Sequence, residues 1–352
     1  MKRRIGIIFG GKSTEHDVSL MSAVSVFNAL PVDLYEPVKI GITRSGKWIK
    51  FDGTNDDVRS GKWEELGTSV NLTTLKDEID FAFPILHGVN GEDGTIQGLF
   101  EMLDIPYAGC GVLASSVCMD KGIAKDIFVR NELPTCRYLL VHSQDILDDI
   151  DSVVEKVKDE FSGYVFVKPA NMGSSIGISK ARKADEIKDA LRLASRHDTR
   201  ILVEEAVNAR EIEVGIIGNR NPEVSVPGEI IAATDYYDYG SKYDDDSSTI
   251  LTIPAKIDDS VYEEIATIAK KAYRAVDCSG FSRIDFFLEK ETGRVLINEI
   301  NTIPGFTGGH SMFPLLWHNT GIAFPKLIEK IIDLGYERYY EKSGRYNYLT
   351  EI

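Results

Sequence analysis

Residues 280–306 read GFSRIDFFLEKETGRVLINEINTIPGF. Two β-prone runs, 281–288 and 294–301, flank the turn-forming Lys290-Glu291-Thr292-Gly293, so the stretch predicts a hairpin. Strand alternation puts Arg283, Asp285 and Phe287 on one face of the first strand, and Val295, Ile297, Glu299 and Asn301 on one face of the second. If Leu288 pairs with Arg294, Asp285 lies opposite Ile297, and Glu299 is its diagonal neighbour at roughly 7–8 Å between backbones. Two carboxylates at that spacing can share a pair of cations, and Asn301 adds a carbonyl oxygen. An all-oxygen set suits Mg²⁺, while the lack of sulfur and imidazole turns it away from zinc. A hairpin with one solvated, charged face would show the same alternation. Ile297 and Phe287 beside the acids point instead to a partly dry pocket.

The chain around this hairpin has 352 residues, enough for two or three domains with cores of their own. Its 43 % hydrophobic and 27 % charged content is that of an ordinary globular chain. A net charge of −15, without a basic stripe interleaved with aromatics, argues against a nucleic-acid partner. No apolar run approaches the ~20 residues of a membrane helix, and the short run after Met1-Lys2-Arg3-Arg4 reads as a first strand, not an export signal. Cys110, Cys118, Cys136 and Cys278 have neither C-x-x-C nor metal-ligand spacing, which predicts free thiols in a reducing cytoplasm.

Upstream, an apolar strand over 4–9 runs into Gly10-Gly11-Lys12-Ser13-Thr14-Glu15 and a helix near 22–30. A strand, a glycine turn and a helix start make an anion-receiving corner, without a G-x-G-x-x-G or P-loop pattern. Glu15 there either faces an ammonium group or complements the helix dipole. Strands over 35–42 and 81–86 follow, separated by a polar, loop-rich segment over 50–78. The second ends in His87-Gly88-Val89-Asn90-Gly91-Glu92-Asp93-Gly94. His87 can serve a substrate or the fold. Further on, Lys168 precedes the small, hydroxyl-rich run from Ala170 to Ile178, a loop suited to phosphates, with Lys121 as a second cation. Residues 235–248 hold Tyr236, Tyr237, Tyr239 and Tyr243 in a long aperiodic loop, which reads as a lid. A helix over 260–276 carries a Ser260-x-x-Glu263 capping box, and a last helix over 324–334 stops at Gly335.

Taken in order, the blocks GGKSTEHDVS, LHGVNGEDGTIQG, MDK, KPANMGSSIGISK, YDYGSKY, GFSRIDFF and NEINTIPGFT resemble the D-alanine:D-alanine ligase family of the ATP-grasp superfamily, over nearly the whole chain to about residue 335. The resemblance implies an α/β fold of three domains: an N-terminal parallel-sheet domain over 1–118, a central ATP-grasp lobe over 119–209, and a C-terminal lobe over 210–352 bearing the metal site and the lid at 235–248. It implies that ATP is held by Lys121, Lys168, Gly173 and Ser175 at the phosphates, by Glu204, Ala206, Val207 and Glu211 at adenine and ribose, and by Lys242 from the lid. Two Mg²⁺ (or Mn²⁺) ions would sit on Asp285, Glu299 and Asn301. Glu15 would form a network with Ser174 and Tyr243 at the first amino acid's ammonium group, beside His87. Arg283 and Gly305 would hold the oxyanion, and Ser311 and Met312 the second substrate.

The activity so implied is ATP-dependent joining of two D-alanines through an acylphosphate for peptidoglycan precursors, by a cytoplasmic homodimer that binds neither nucleic acid nor membrane. Both partners of the first step are anions, which explains the abundance of cations, and a water-sensitive intermediate explains a lid. The run Gly308-Gly309-His310-Ser311 is one residue longer than in many relatives. Tyr243 departs from the His-containing loop of D-lactate ligases, and Met312 from the Arg of D-serine ones, so D-alanine is expected in both sites.

Overall fold

The computed structural model describes residues 2–173, 176–231 and 250–350, with side chains to residue 344. Three sheets form among them. The first has the order Thr68–Ser69, Trp48–Phe51, Tyr35–Ile42, Arg3–Gly10, Phe81–Ile85; the last three run parallel and the first two join antiparallel. Parallel strands are covered on both faces and need continuous apolar runs, which Ile5, Ile7, Ile8 and Phe9, and Phe81, Phe83 and Ile85, provide. Helix His16–Ala29 packs on this sheet. It starts well before the predicted 22–30, because Gly10 and Gly11 at φ +86° and +98° turn the chain at once and His16 Nδ1 donates to the Gly11 carbonyl at 2.7 Å. The segment 50–78 is not plain loop either. It holds short helices Asn55–Arg59, Trp63–Leu66 and Leu75–Glu78, too brief to show a period, which place fully buried Trp63 against Phe9.

Helix Phe324–Thr350 also joins this core through Leu327, Ile328, Ile331 and Ile332. The predicted stop at Gly335 is wrong: a Cβ there would lie 2.6 Å from both Phe81 Cζ and the Tyr107 carbonyl oxygen, so this glycine permits close packing in mid-helix. The tyrosine-rich stretch after it packs as well. Tyr336 meets Phe81 at 4.9 Å between centroids, and Arg338 lies 4.0 Å over Tyr107.

The second sheet, in the order Tyr138–His142, Arg200–Glu205, Val165–Pro169, Ser179–Ala181, is antiparallel and backed by helices Ser143–Glu160 and Ala184–Ala194. The third runs Ile250–Thr252, Gly228–Ile231, Ala209–Ile217, Phe281–Glu289, Val295–Asn301, with Glu223–Val224 beside Ala209–Ile217. Helices Val112–Met119 and Asp259–Ala275 bury one of its faces, where Ile212, Val214, Ile284, Phe286 and Ile300 meet Ala114, Ile265 and Ala272. The predicted Ser260 capping box does not form, since Asp258 is the N-cap and Ser260 lies inside the helix. Helix Met312–Asn319 lies on the opposite face. It approaches over two glycines: a Cβ on Gly215 would stand 2.7 Å from Trp317 Nε1, and one on Gly228 2.7 Å from Met312 Sδ.

Candidate active site

The hairpin, Phe281–Glu289 and Val295–Asn301, forms with a different register from the one expected. Leu288 pairs with Val295 and Phe286 with Ile297. A bulge then brings Asp285 directly opposite Glu299, and Arg283 opposite Asn301. The extra residue rotates Ile297 into the helix-covered core, so Ile297 is not a wall of the acid-bearing face; Leu296, opposite Phe287, takes that place. Both backbone groups of Ile297 are fixed from outside the sheet. Its N–H donates to the Pro134 carbonyl at 2.8 Å, and its carbonyl accepts from Thr135 Oγ1 at 2.9 Å.

The neighbouring strand Ala209–Ile217 adds Glu213 opposite Asp285 and Glu211 opposite Phe287. Arg283 joins these acids: Nε lies 2.7 Å from Asp285 Oδ1 and 3.0 Å from Glu213 Oε2, and Nη2 donates to Asp285 Oδ2 at 2.8 Å. Burial works against its charge, but Asp285 and Glu213 more than offset that and raise its pKa further. Asn301 Nδ2 donates to Asp285 Oδ2 at 2.9 Å. Among the described residues no group of three His, Cys, Asp or Glu side chains forms a ready metal cluster. Asp285, Glu299 and the Asn301 amide oxygen nevertheless share one half-buried face, and an all-oxygen donor set of this kind fits a hard divalent cation. Glu299 also meets the first of the expected lysines, since Lys121 Nζ is 3.3 Å from Glu299 Oε2 and donates to the Met172 carbonyl at 3.0 Å.

The second lysine, Lys168, is buried on Glu204, whose other oxygen lies 2.6 Å from Lys125 Nζ. Burial alone would raise the Glu204 carboxyl; Lys125 and Lys168 together hold it below its ordinary value. Lys168 mirrors this, lowered by burial and raised beyond it by Glu204. The loop that follows is pinned at its base: Asn171 N–H donates to Asp198 Oδ2 at 2.7 Å, and Asp120 both caps helix Lys121–Arg130 through Ile123 N–H, at 2.9 Å, and meets Arg200 at 3.2 Å.

On the N-terminal side, Glu15 is buried between two glycines: a Cβ on Gly88 would lie 2.7 Å from its Oε2, and one on Gly173 3.4 Å. His87 Nδ1 is 3.0 Å from the Ile303 carbonyl, which can only accept, so Nδ1 carries the hydrogen. Burial lowers the His87 pKa against the pull of Glu15, keeping the ring neutral while it ties the end of strand Phe81–Ile85 to the loop after the hairpin. That loop folds on itself: Thr307 N–H donates to Ser311 Oγ at 3.0 Å, and a Cβ on Gly305 would reach within 2.8 Å of the same oxygen. Glu92 accepts from Gly88 N–H at 2.9 Å, and burial, with Glu15 next in effect, pushes its carboxyl up to about 8.

These walls enclose a cavity of about 790 Å³, lined by Glu15, His87, Lys121, Gly173, Arg283, Glu299, Asn301, Gly305, Ser311 and Met312 from the expected set. Asp285 sits behind Arg283 and Asn301. Lys168, Glu204, Ala206, Val207 and Glu211 lie outside that lining, and the Ala206 N–H is engaged by the Tyr164 carbonyl at 2.9 Å. Ser174, Ser175, Lys242, Tyr243 and the predicted lid at 235–248 lie outside the described residues. Three buried or lining groups escaped the sequence reading: Lys125, one helical turn after Lys121; Glu213, alternating with Glu211; and Glu92, inside a quoted block.

A five-stranded α/β unit followed by two antiparallel sheets, with Lys121 of the helix leading into the four-stranded sheet set on Glu299 of the other, defines the ATP-grasp class. The comparisons narrow it. The model of the D-ala D-ala ligase N-terminus matches residues 4–110 and that of the C-terminus residues 127–333. Relatives called D-alanine--D-alanine ligase include one from Acetivibrio thermocellus, 46 % identical over 98 % of this chain and 99 % of its own, and one from Bacillus pumilus, 46 % identical over 97 % and 98 %. Two solved structures superpose with a TM-score of 0.87. One is the D-alanine-D-alanine ligase from Coxiella burnetii, 31 % identical and covering 100 % of both chains; the other is the VanG D-Ala:D-Ser ligase from Enterococcus faecalis, 34 % identical, covering 95 % of this chain and 100 % of that one. The chain belongs to the D-alanine–D-alanine ligase family.

Proposed function

We propose that the protein joins two D-alanines to D-alanyl-D-alanine with cleavage of ATP to ADP and phosphate, supplying precursors for peptidoglycan. The observation that carries this reading is the cavity's asymmetry: Glu15 and Glu92 line it on one side, and on the other Arg283 of the hairpin stands beside Glu213 with Lys121 on Glu299. A zwitterionic amino acid fits such a pair of walls, its ammonium at Glu15 and its carboxylate toward Arg283. The carboxylate oxygen attacks the γ-phosphorus of ATP, giving D-alanyl phosphate and ADP. The second amine then displaces phosphate and loses a proton. Lys121 and Lys168 draw the triphosphate in, Gly173 and Ser175 cover it, and Ala206, Val207, Glu204 and Glu211 take adenine and ribose. Lys242, Ser174 and Tyr243 complete the closed site, and Arg283 with the Gly305 backbone receives the oxyanion. Two Mg²⁺ (or Mn²⁺) ions on Asp285, Glu299 and Asn301 would supply charge neutralisation at the phosphates. Ser311 and Met312 form the second amino-acid pocket, where the Met312 thioether offers no hydrogen-bond donor to a serine hydroxyl.

Domains at 1–118, 119–209 and 210–352, a homodimeric state and a cytoplasmic location belong to the same proposal. ADP release is the test, measured with ATP and D-alanine alone and then with D-serine or D-lactate added. D-Alanyl-D-alanine as the main product supports the reading. Preference for a mixed product replaces it with a D-serine or D-lactate ligase, and ATP binding without amino-acid-dependent ADP release with a catalytically silent relative.

A further inference from the structure

Lys125 is 1 % exposed and does not line the substrate cavity, yet an ammonium is costly to bury unless its partners are well placed. Its partners lie on two different elements. Nζ is 2.6 Å from Glu204 Oε1, on the strand beside the one that carries Lys168, and 2.7 Å from Thr135 Oγ1. Glu204 passes the interaction to Lys168 through its second oxygen. Thr135, its hydroxyl lone pairs occupied by Lys125, donates its hydrogen to the Ile297 carbonyl at 2.9 Å. Ile297 is the last residue in regular register before the bulge that sets Glu299 against Asp285. A continuous chain, Lys168–Glu204–Lys125–Thr135–Ile297, therefore joins the lysine of the four-stranded sheet to the acid-bearing strand of the other.

We propose that Lys125 is a positioning residue for the ligation reaction. It keeps Glu204 ionised and turned toward Lys168, and through Thr135 it fixes Lys168 relative to the bulged strand carrying Glu299. Without it, one buried carboxylate must serve with a single lysine, and the two sheets lose a shared polar contact. The assignment rests on the ligase reading, because positioning is defined here against ATP.

Lys125→Met keeps the length of the side chain and removes its charge. In steady-state assays with ATP and D-alanine, ATP KM rises about tenfold or more while D-alanine KM stays within about twofold. ATP KM in this variant also rises as pH falls from about 8 to 6, unlike wild type, because Glu204 beside one lysine protonates more readily. Adding Glu204→Gln to Lys125→Met raises ATP KM by clearly less than the product of the two separate effects, the signature of coupled residues. A lysine that serves the fold alone lowers the melting temperature and the active fraction but leaves ATP KM and its pH profile unchanged; that result overturns the proposal, as does full additivity with Glu204→Gln. If Lys125→Met does not fold, Thr135→Val is read in its place. That variant spares the ion chain and cuts the link to Ile297, so kcat falls several-fold at near-normal ATP KM, and wild-type kinetics overturn the proposal. Wild type runs alongside. Failure of wild type to release ADP with D-alanine counts against the ligase reading, whereas an active wild type with an unaltered Lys125→Met counts against Lys125 alone.

Discussion

Glu204 and Glu92 start from the same physical situation and end in opposite states. Burial is the largest influence on each carboxyl, and in each it favours the neutral form. Glu204 lies between Lys125 and Lys168, which overcome the burial and hold it low. Glu92 instead has Glu15 as its strongest charged neighbour, so its carboxyl is pushed up to about 8, with only the Gly88 N–H and distant Lys121 working the other way. One region of the site is thus built of acids braced by cations, and in the other a buried acid is set beside a second acid. The hairpin extends the braced region, with Arg283 on Asp285 and Lys121 on Glu299. The braced side suits the triphosphate, and the crowded side suits an incoming ammonium group.

The sharpest way to break this contrast is to remove an acid from the braced side. Asp285→Asn or Glu299→Gln is expected to lower kcat on the order of 10³-fold or more while the far-UV spectrum and melting temperature stay near wild type. Near-wild-type activity in these variants, with no greater demand for Mg²⁺ than wild type, would remove both from the metal assignment. A smaller effect is expected one step back. Glu213→Gln leaves Arg283 with Asp285 as its remaining close carboxylate, now free to swing away from the cavity, and kcat is expected to fall roughly 10- to 100-fold with ATP KM little changed. An equal loss in ATP KM would assign Glu213 to the nucleotide and not to Arg283.

How much of this was legible depended on whether the cause was local. The hairpin, its two acids and Asn301 follow from alternation and a four-residue turn, and strand Tyr35–Ile42 was found to the residue because Val38, Ile40 and Ile42 alternate along it. The direct Asp285–Glu299 pairing was not legible. It depends on a bulge held by Pro134 and Thr135, more than 150 residues away in sequence, and no window around the hairpin contains them. Lys125 was missed for a related reason: a lysine on a helix reads as solvated until Glu204 and Thr135 are brought onto it. Gly335 failed in the opposite sense. A glycine after an amphipathic run predicts a stop, and only contact with Phe81 and the Tyr107 carbonyl reveals that closeness was the requirement.

The mildest perturbation tests the crowded side through stability. A carboxyl raised from 4.5 to about 8 in the folded protein keeps its proton while the unfolded chain has already lost it. Its contribution to stability is fully present below the ordinary carboxylate range and is lost as pH rises toward about 8, where the native group ionises too. Glu92→Gln has no proton to lose. Relative to wild type it should therefore gain stability steadily between about pH 5 and 8, reaching a few degrees in melting temperature, with no further gain above that window. The glutamine Oε1 can accept from Gly88 N–H as the protonated carboxyl does, but its amide has two hydrogens to place where the acid has one, so at pH 5 the variant should be equal to or slightly less stable than wild type. A melting-temperature difference that does not change between pH 5 and 8 would mean that Glu92 is ionised throughout, and that a cation not yet recognised braces this wall as Lys125 and Lys168 brace the other.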